Sequence, residues 1–143
     1  MTRFPNFKLI HLHLSTQDLP LYSERVPCGF PSPAESHIKK RLSIKDLIAD
    51  KPSTFFLEAV GNSMLNCGIK TGTILVCEKG APPKNNNIVL CTLNGNFMVK
   101  KYKIRRDSSA YLKAENNSHP PIEIQEGDEL IIEAIVTHSI NKH

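Results

Sequence analysis

Two residues in this sequence, Ser63 and Lys100, are of the types that acyl-transfer chemistry uses. Ser63 follows Gly61 and Asn62, which interrupt the apolar, β-prone run at residues 55–60. Because glycine tolerates backbone angles that other residues avoid, the predicted strand can end here in a sharp turn. Such a turn can hold a hydroxyl close to its own backbone N–H groups, which are the donors that an oxyanion needs. The same segment also suits an ordinary turn, so these residues alone leave the chemistry open.

Lys100 lies on a predicted strand in phase with apolar neighbours. The Asn-Gly pair at 94–95 is a hairpin signal, and it predicts a second strand at residues 96–104. Side chains alternate along a strand, so Lys100 shares a face with Met98 and Tyr102. Burial on that face would lower the pKa of the lysine, and a neutral amine can accept a serine proton. The alternative is that the ammonium group reaches solvent while its stem covers apolar surface.

Three segments agree in order and spacing along the chain. They are Pro27-Cys28-Gly29-Phe30-Pro31-Ser32-Pro33-Ala34, then Gly61-Asn62-Ser63-Met64, then Val99-Lys100-Lys101. With Ser63 and Lys100 separated by 37 positions, this arrangement resembles the LexA/UmuD family of self-cleaving Ser-Lys peptidases, in particular its UmuD branch. The resemblance extends from about Leu21 to the C-terminus.

The resemblance implies a role for each of these residues. Ser63 would be the nucleophile and Lys100 the general base, while the backbone N–H groups of Asn62 and Ser63 would stabilise the oxyanion. The scissile bond would join Cys28 to Gly29, so that self-cleavage removes the segment ending at Cys28. The reaction would use no metal and no other cofactor.

The same resemblance implies partners and a location. A RecA filament on single-stranded DNA would stimulate the cleavage during the SOS response to DNA damage. The shortened protein would be a cytoplasmic homodimer that serves a UmuC-like Y-family polymerase as an accessory subunit in translesion synthesis and SOS mutagenesis. No membrane contact and no direct sequence-specific DNA binding are expected. LexA-type repressors carry an N-terminal helix-turn-helix domain, which the residues before Cys28 are too few and too proline-rich to form.

The composition is that of an ordinary globular domain. The 143 residues are 40% hydrophobic and 22% charged, with a net charge of +4, which permits a weak nucleic-acid contact without demanding one. A 6% aromatic share without Trp argues against a base-stacking platform. The four cysteines form no Cys-x-x-Cys pair, and His11 and His13 have no third ligand at a useful spacing, so no metal site is predicted. No apolar run approaches the ~20 residues of a membrane span, which argues against the membrane-anchored signal peptidases.

We expect a mainly β fold, a small sandwich or partly closed barrel of short strands with an extended N-terminal arm. Residues 1–28 would form the removable arm, residues 29–52 a linker with short helices, and residues 53–143 the β-rich peptidase domain. Capping boxes at 32–35 and 43–46 predict the starts of two short helices, the second at residues 44–49. One helical turn is expected at 64–69. The predicted strands are 55–60, 73–78, 88–93, 96–104, 110–114 and 130–138.

Two other classes of function stay open. In a non-catalytic binding module, Ser63 and Lys100 would be structural, and Ser63→Ala would leave processing unchanged. A DNA-binding regulator would use the basic strand at 100–106, and its DNA affinity would fall steeply with salt. The acidic residues between 115 and 133 could pair with that basic surface in another chain, or both sets could simply provide solubility.

Overall fold

The computed structural model describes residues 18–22, 25–26, 28–29, 38–48 and 51–143. Backbone packing divides the chain into two units, Met1–Pro52 and Ser53–His143, and each is described by itself. The elements are β1 (Leu19–Tyr22), β2 (Ile38–Leu42), α1 (Ile44–Leu47), β3 (Thr54–Glu58), a 3-10 turn (Leu65–Cys67), β4 (Ile74–Glu78), β5 (Ile88–Leu93), β6 (Asn96–Ile104), β7 (Ala110–Lys113), β8 (Ile122–Glu123) and β9 (Leu130–Ile140).

In the first unit, β1 and β2 form a two-stranded antiparallel sheet. Leu19 lies opposite Leu42, and the register shifts beside Tyr22. Pro20 is tolerated in β1 because each strand of a two-stranded sheet has a free edge, where a missing N–H breaks no ladder bond. Neither strand was predicted. The basic run within β2 carries no alternation of apolar and polar residues, which is the usual signal of a strand.

The predicted helix at 44–49 is confirmed in a shorter form, α1. Asp46 Oδ2 accepts hydrogen bonds from the Ser43 N–H at 2.7 Å and from the Ser43 hydroxyl at 3.1 Å. These bonds, the backbone one first, hold the pKa of Asp46 below its ordinary value. The helix ends because Ile48 adopts an extended conformation, with φ −120° and ψ 123°. The helix predicted to begin at 32–35 lies outside the described residues.

The second unit contains a seven-stranded sheet in the order β3-β4-β9-β5-β6-β7-β8, with every pairing antiparallel. The mainly β fold class is therefore confirmed. Among the described strands the sheet is open, since β3 and β8 are its two edges, and it does not close into a barrel. β9 has 11 residues and lies between β4 and β5, pairing with both.

One hydrophobic core cluster of the sheet lies on the face that carries Lys100. Val89 is opposite Lys100 and Cys91 is opposite Met98 in the β5–β6 pairing, and directly paired residues share a face. Val89 and Cys91 are fully buried, and they form a cluster with Leu112, Ile135 and a partly buried shell that includes Met98 and Tyr102. The predicted shared face of Lys100, Met98 and Tyr102 is thus confirmed.

The predicted strands correspond to β3 to β7 and β9, and β5 and β6 match to the residue. The turn between β5 and β6 places both Asn94 and Gly95 at positive φ, 51° and 84°, as a two-residue type I′ hairpin requires. The short strand β8 was not predicted, because two residues that follow Pro120 and Pro121 give too little pattern.

Candidate active site

Ser63 lies on a turn whose base is closed by backbone hydrogen bonds. The Ala59 N–H donates to Thr73 O at 2.8 Å, and the Gly72 N–H donates to Ala59 O at 2.9 Å. Within this loop Gly61 has a φ of 102°, a conformation that a side chain would strain. Its N–H donates to Thr71 Oγ1 at 2.8 Å. The turn predicted from Gly61 and Asn62 is therefore present, and it is fixed at both ends.

Met64 anchors the turn immediately after the serine. It is only 3% exposed, and its carbonyl accepts the N–H groups of Cys67 and Ile69, each at 3.2 Å. Its sulfur accepts the N–H of Glu115 at 3.4 Å. The helical turn predicted after the serine is confirmed as the 3-10 turn Leu65–Cys67. Because the residue next to Ser63 is buried and bonded, the position of Ser63 is defined by its neighbour.

The side chains of Ser63 and Lys100 meet. Lys100 Nζ lies 2.6 Å from Ser63 Oγ, which is a short hydrogen-bond distance. Both residues are half-buried. One comes from the turn after β3 and the other from the middle of β6, so the sheet brings together two groups that are 37 positions apart.

The environment of Lys100 destabilises its charged form. Burial lowers the pKa of Lys100 from its ordinary 10.5, and a negative charge on Cys91 would oppose this effect. However, burial also raises the pKa of Cys91 to about 11, so that thiol is uncharged near neutral pH. Among the described residues Lys100 forms no ion pair. At neutral pH its desolvation is therefore not offset by a nearby negative charge.

The candidate oxyanion donors are free in the described part of the chain. Neither the Asn62 N–H nor the Ser63 N–H donates a hydrogen bond to any described residue. Asn62 is exposed and Ser63 is half-buried, so a substrate carbonyl can approach this turn. Their role as oxyanion donors stays a prediction.

The loop after β7 contacts the serine turn, and this contact was not predicted from the sequence. Asn116 Nδ2 donates to Asn62 O at 2.7 Å, and His119 Nε2 lies 3.0 Å from Asn62 Oδ1. The Asn66 N–H also donates to Glu115 O at 2.7 Å. The sequence here contains two consecutive asparagines, Asn116 and Asn117, which are typical of a turn but give no indication of what the turn contacts.

The predicted scissile residues, Cys28 and Gly29, belong to the first unit and lie in a bend of the chain. Both are exposed, and Cys28 is a free thiol. A Cβ built on Gly29 would meet no atom within 4 Å, so the backbone here is open to close approach. Cleavage at this bond stays a prediction.

Two further findings bear on the chemistry of the described residues. No group of three or more His, Cys, Asp or Glu side chains in that part of the chain is arranged to hold a metal ion. Likewise, none of the described helices is long and apolar enough to cross a membrane. His11 and His13 lie outside the described residues.

Comparison with known proteins places these features in a family. Residues 20–137 match the model of the Peptidase S24-like family. The chain belongs to this family. The matched S24-like region contains Cys28, Gly29, Ser63 and Lys100.

Similarity to individual proteins supports the same family assignment. The chain is 33% identical to Protein SamA of Salmonella typhimurium over 86% of this chain and 85% of the relative. It is 32% identical to Protein MucA of Escherichia coli over 87% of this chain and 86% of the relative. The LexA repressor of Shewanella woodyi is 29% identical over 76% of this chain but only 52% of its own length. The chain is thus a UmuD-like member of the LexA/UmuD family, and its fold is that of a self-cleaving serine peptidase.

Proposed function

We propose that this protein cleaves its own Cys28–Gly29 bond with Ser63 as nucleophile and Lys100 as general base. The observation that carries the proposal is the 2.6 Å distance between Lys100 Nζ and Ser63 Oγ. In addition, burial lowers the pKa of Lys100. A neutral amine at hydrogen-bond distance from a hydroxyl is the arrangement that activates a serine in Ser-Lys peptidases.

The reaction has two halves. Lys100 takes the proton of Ser63 while Oγ attacks the carbonyl carbon of Cys28, and the N–H groups of Asn62 and Ser63 stabilise the resulting oxyanion. Collapse of this intermediate breaks the C–N bond, and the amine of Gly29 leaves with the proton that Lys100 held. An ester joins Ser63 to Cys28. Water then attacks that ester with Lys100 again as base, which restores Ser63 and leaves a carboxylate on Cys28.

The proposed cut would separate two strands that pair with each other in the first unit. The Cys28–Gly29 bond lies in the segment that connects β1 to β2, and these strands pair as neighbours in one sheet. Cleavage would therefore convert a covalently connected pair of strands into two chains that only hydrogen bonds and side-chain contacts hold together. Release of residues 1–28 would leave the β1-facing edge of β2 unpaired.

Membership of the family supports a finer proposal for the biological role. We propose that a RecA filament on single-stranded DNA stimulates the cleavage in the cytoplasm. The shortened homodimer then serves a UmuC-like Y-family polymerase in translesion synthesis. The similarity to SamA, MucA and LexA over most of this chain supports these assignments.

The test is the intact mass of purified protein held at about pH 7 and about pH 10, for the wild type, Ser63→Ala and Lys100→Ala. Because the lysine must be neutral to act as a base, the cleavage rate should rise roughly tenfold per pH unit below the pKa of Lys100 and then level off. We expect a fragment of residues 29–143 in the wild type, formed faster at the higher pH. Neither variant should form it.

Two outcomes of this test would count against the proposal. Cleavage that persists in Ser63→Ala would remove the serine from the mechanism, and a contaminating peptidase would become its source. A wild type that stays intact at both pH values, and also with RecA, single-stranded DNA and ATP, would instead favour a non-catalytic binding module.

A further inference from the structure

The peptide group that joins Asn62 to Ser63 contains one of the two candidate oxyanion donors. No peptide bond in the described chain is cis, and a trans peptide is planar, with its C=O and N–H pointing in opposite directions. Whatever holds the carbonyl of Asn62 therefore also sets the direction of the Ser63 N–H. The partners of that carbonyl decide how well the donor is fixed.

Two N–H groups hold the Asn62 carbonyl. One belongs to the Leu65 backbone, at 3.3 Å, and comes from the same turn. The other is the side-chain amide of Asn116, at 2.7 Å, and it comes from a loop 54 positions away. The Asn116 bond is the shorter of the two. It is also the one that a mutation can remove without altering the residues of the serine turn.

Asn116 is itself oriented by its surroundings. Its Oδ1 accepts the Ser118 N–H at 3.0 Å, which leaves the NH₂ end of the amide to face Asn62. The preceding residue, Glu115, makes two backbone bonds to the serine turn, accepting from Asn66 at 2.7 Å and donating to Met64 Sδ at 3.4 Å. The loop is thus docked on the turn, and the donor of Asn116 has one consistent direction.

We propose that Asn116 is a positioning residue that holds the Asn62–Ser63 peptide so that the Ser63 N–H meets the oxyanion. This inference rests on the proposed self-cleavage. The Asn116 bond also polarises the peptide, because hydrogen bonding at a carbonyl makes the linked N–H a stronger donor. Asn116 does not touch the reacting atoms in this scheme, and it acts through the backbone of Ser63.

Three variants separate this role from a general effect on the loop. Asn116→Ala removes the whole amide, whereas Asn116→Asp keeps an oxygen that can accept the Ser118 N–H but loses the donor to Asn62. The matched control is Asn117→Ala, since Asn117 is the next residue, is exposed, and has no side-chain hydrogen bond to a described residue. The first-order cleavage rate is measured from about pH 7 to about pH 11 for each protein, with its melting temperature as a check of folding.

A loss of oxyanion positioning lowers the plateau of the pH–rate profile, whereas a change at Lys100 moves its midpoint. We expect Asn116→Ala and Asn116→Asp to lower the plateau by about 10- to 100-fold. The midpoint of the pH–rate profile of Asn116→Ala should equal that of the wild type. For Asn117→Ala, both the plateau and the midpoint should equal those of the wild type. A plateau at the wild-type level in Asn116→Ala, while Ser63→Ala is uncut, would overturn the inference and leave the proposed function intact.

A second measurement does not depend on cleavage. The Ser63 backbone amide resonance in ¹⁵N-labelled protein reports the peptide that Asn116 holds. It should shift more in Asn116→Ala than in Asn117→Ala, while amides in β9 stay in place. An unchanged Ser63 resonance would overturn the inference even if the wild type proved unable to cleave itself.

Discussion

The two faces of β6 place neighbouring lysines in opposite electrostatic settings. On one face Lys100 approaches a serine hydroxyl at 2.6 Å, and burial lowers its pKa. On the other face Lys101 Nζ lies 2.9 Å from Glu115 Oε1 in an ion pair. Both lysines are half-buried. What distinguishes them is the partner that each face provides, a neutral hydroxyl for Lys100 and a carboxylate for Lys101.

This difference shows that burial alone does not make a lysine a base. An opposite charge nearby favours the charged form of an ionisable group, whereas burial without such a charge disfavours it. In the second setting, the hydrogen bond from Lys101 is the main cause that lowers the pKa of Glu115. Adjacent residues of a strand point to opposite faces of the sheet, so Lys100 and Lys101 have different surroundings although they are neighbours in sequence.

The largest effect is expected from replacing each lysine by arginine. A guanidinium group keeps its charge throughout the accessible pH range, so Lys100→Arg should lower the cleavage rate by at least about 10³-fold at every pH. Lys101→Arg preserves the charge and the ion pair, and its cleavage rate should stay within about twofold of the wild type. Densitometry of the cleavage fragment over time measures both rates. Comparable losses in the two variants would abolish the distinction between the faces.

A smaller effect, on stability, is expected from removing the carboxylate of the second face. Glu115→Gln should lower the free energy of unfolding by about 0.5–1 kcal/mol near neutral pH. The pKa of Glu115 is lowered from 4.5 in the folded protein, so its contribution is present above that pH and is lost as pH falls through the folded pKa. Urea denaturation as a function of pH measures this difference.

The control for that experiment is Glu126→Gln. Glu126 is exposed and forms no ion pair with a described residue, so its replacement should leave the urea midpoint unchanged. A loss in Glu115→Gln that is equally large well below the folded pKa would show that shape, and not charge, is responsible.

The smallest effect concerns the cost of keeping Lys100 half-buried. Lys100→Met should raise the free energy of unfolding on the order of 0.5 kcal/mol near neutral pH. Between the lowered folded pKa and 10.5, the unfolded chain keeps a proton that the folded chain has lost, so wild-type stability rises with pH. The advantage of Lys100→Met should therefore shrink as pH approaches 10.5. A constant advantage would indicate better packing alone.

The sequence predicted the parts of the site that local chemistry determines. The Asn-Gly signal placed β5 and β6 correctly, and this fixed the face on which Lys100 lies. Gly61 indicated the turn before the serine, and its φ of 102° shows why a glycine is needed. The prediction that Ser63 and Lys100 act together came from the resemblance to a family. Sequence spacing alone does not give the distance between two residues across a sheet.

The parts that were missed depend on contacts between distant segments. β2 is a strand because β1 pairs with it, and its basic residues give no local sign of that partner. Likewise the bond from Asn116 to Asn62 joins residues 54 positions apart. Two consecutive asparagines favour a turn. That the Asn116 side chain reaches the Asn62 carbonyl depends on how the folded sheet brings the two segments together.

The position of β9 between β4 and β5 bears on when, during synthesis, the site of Ser63 and Lys100 can form. In the sheet, β9 joins the β3–β4 pair, which leads into the serine turn, to the β5–β6 pair, which carries the lysine. Of the nine described strands it is also the last to leave the ribosome. Until it emerges, the sheet has no strand that connects its two halves. The proposed self-cleavage should therefore begin only once β9 has emerged, and a nascent chain still lacking β9 should be unable to cut itself.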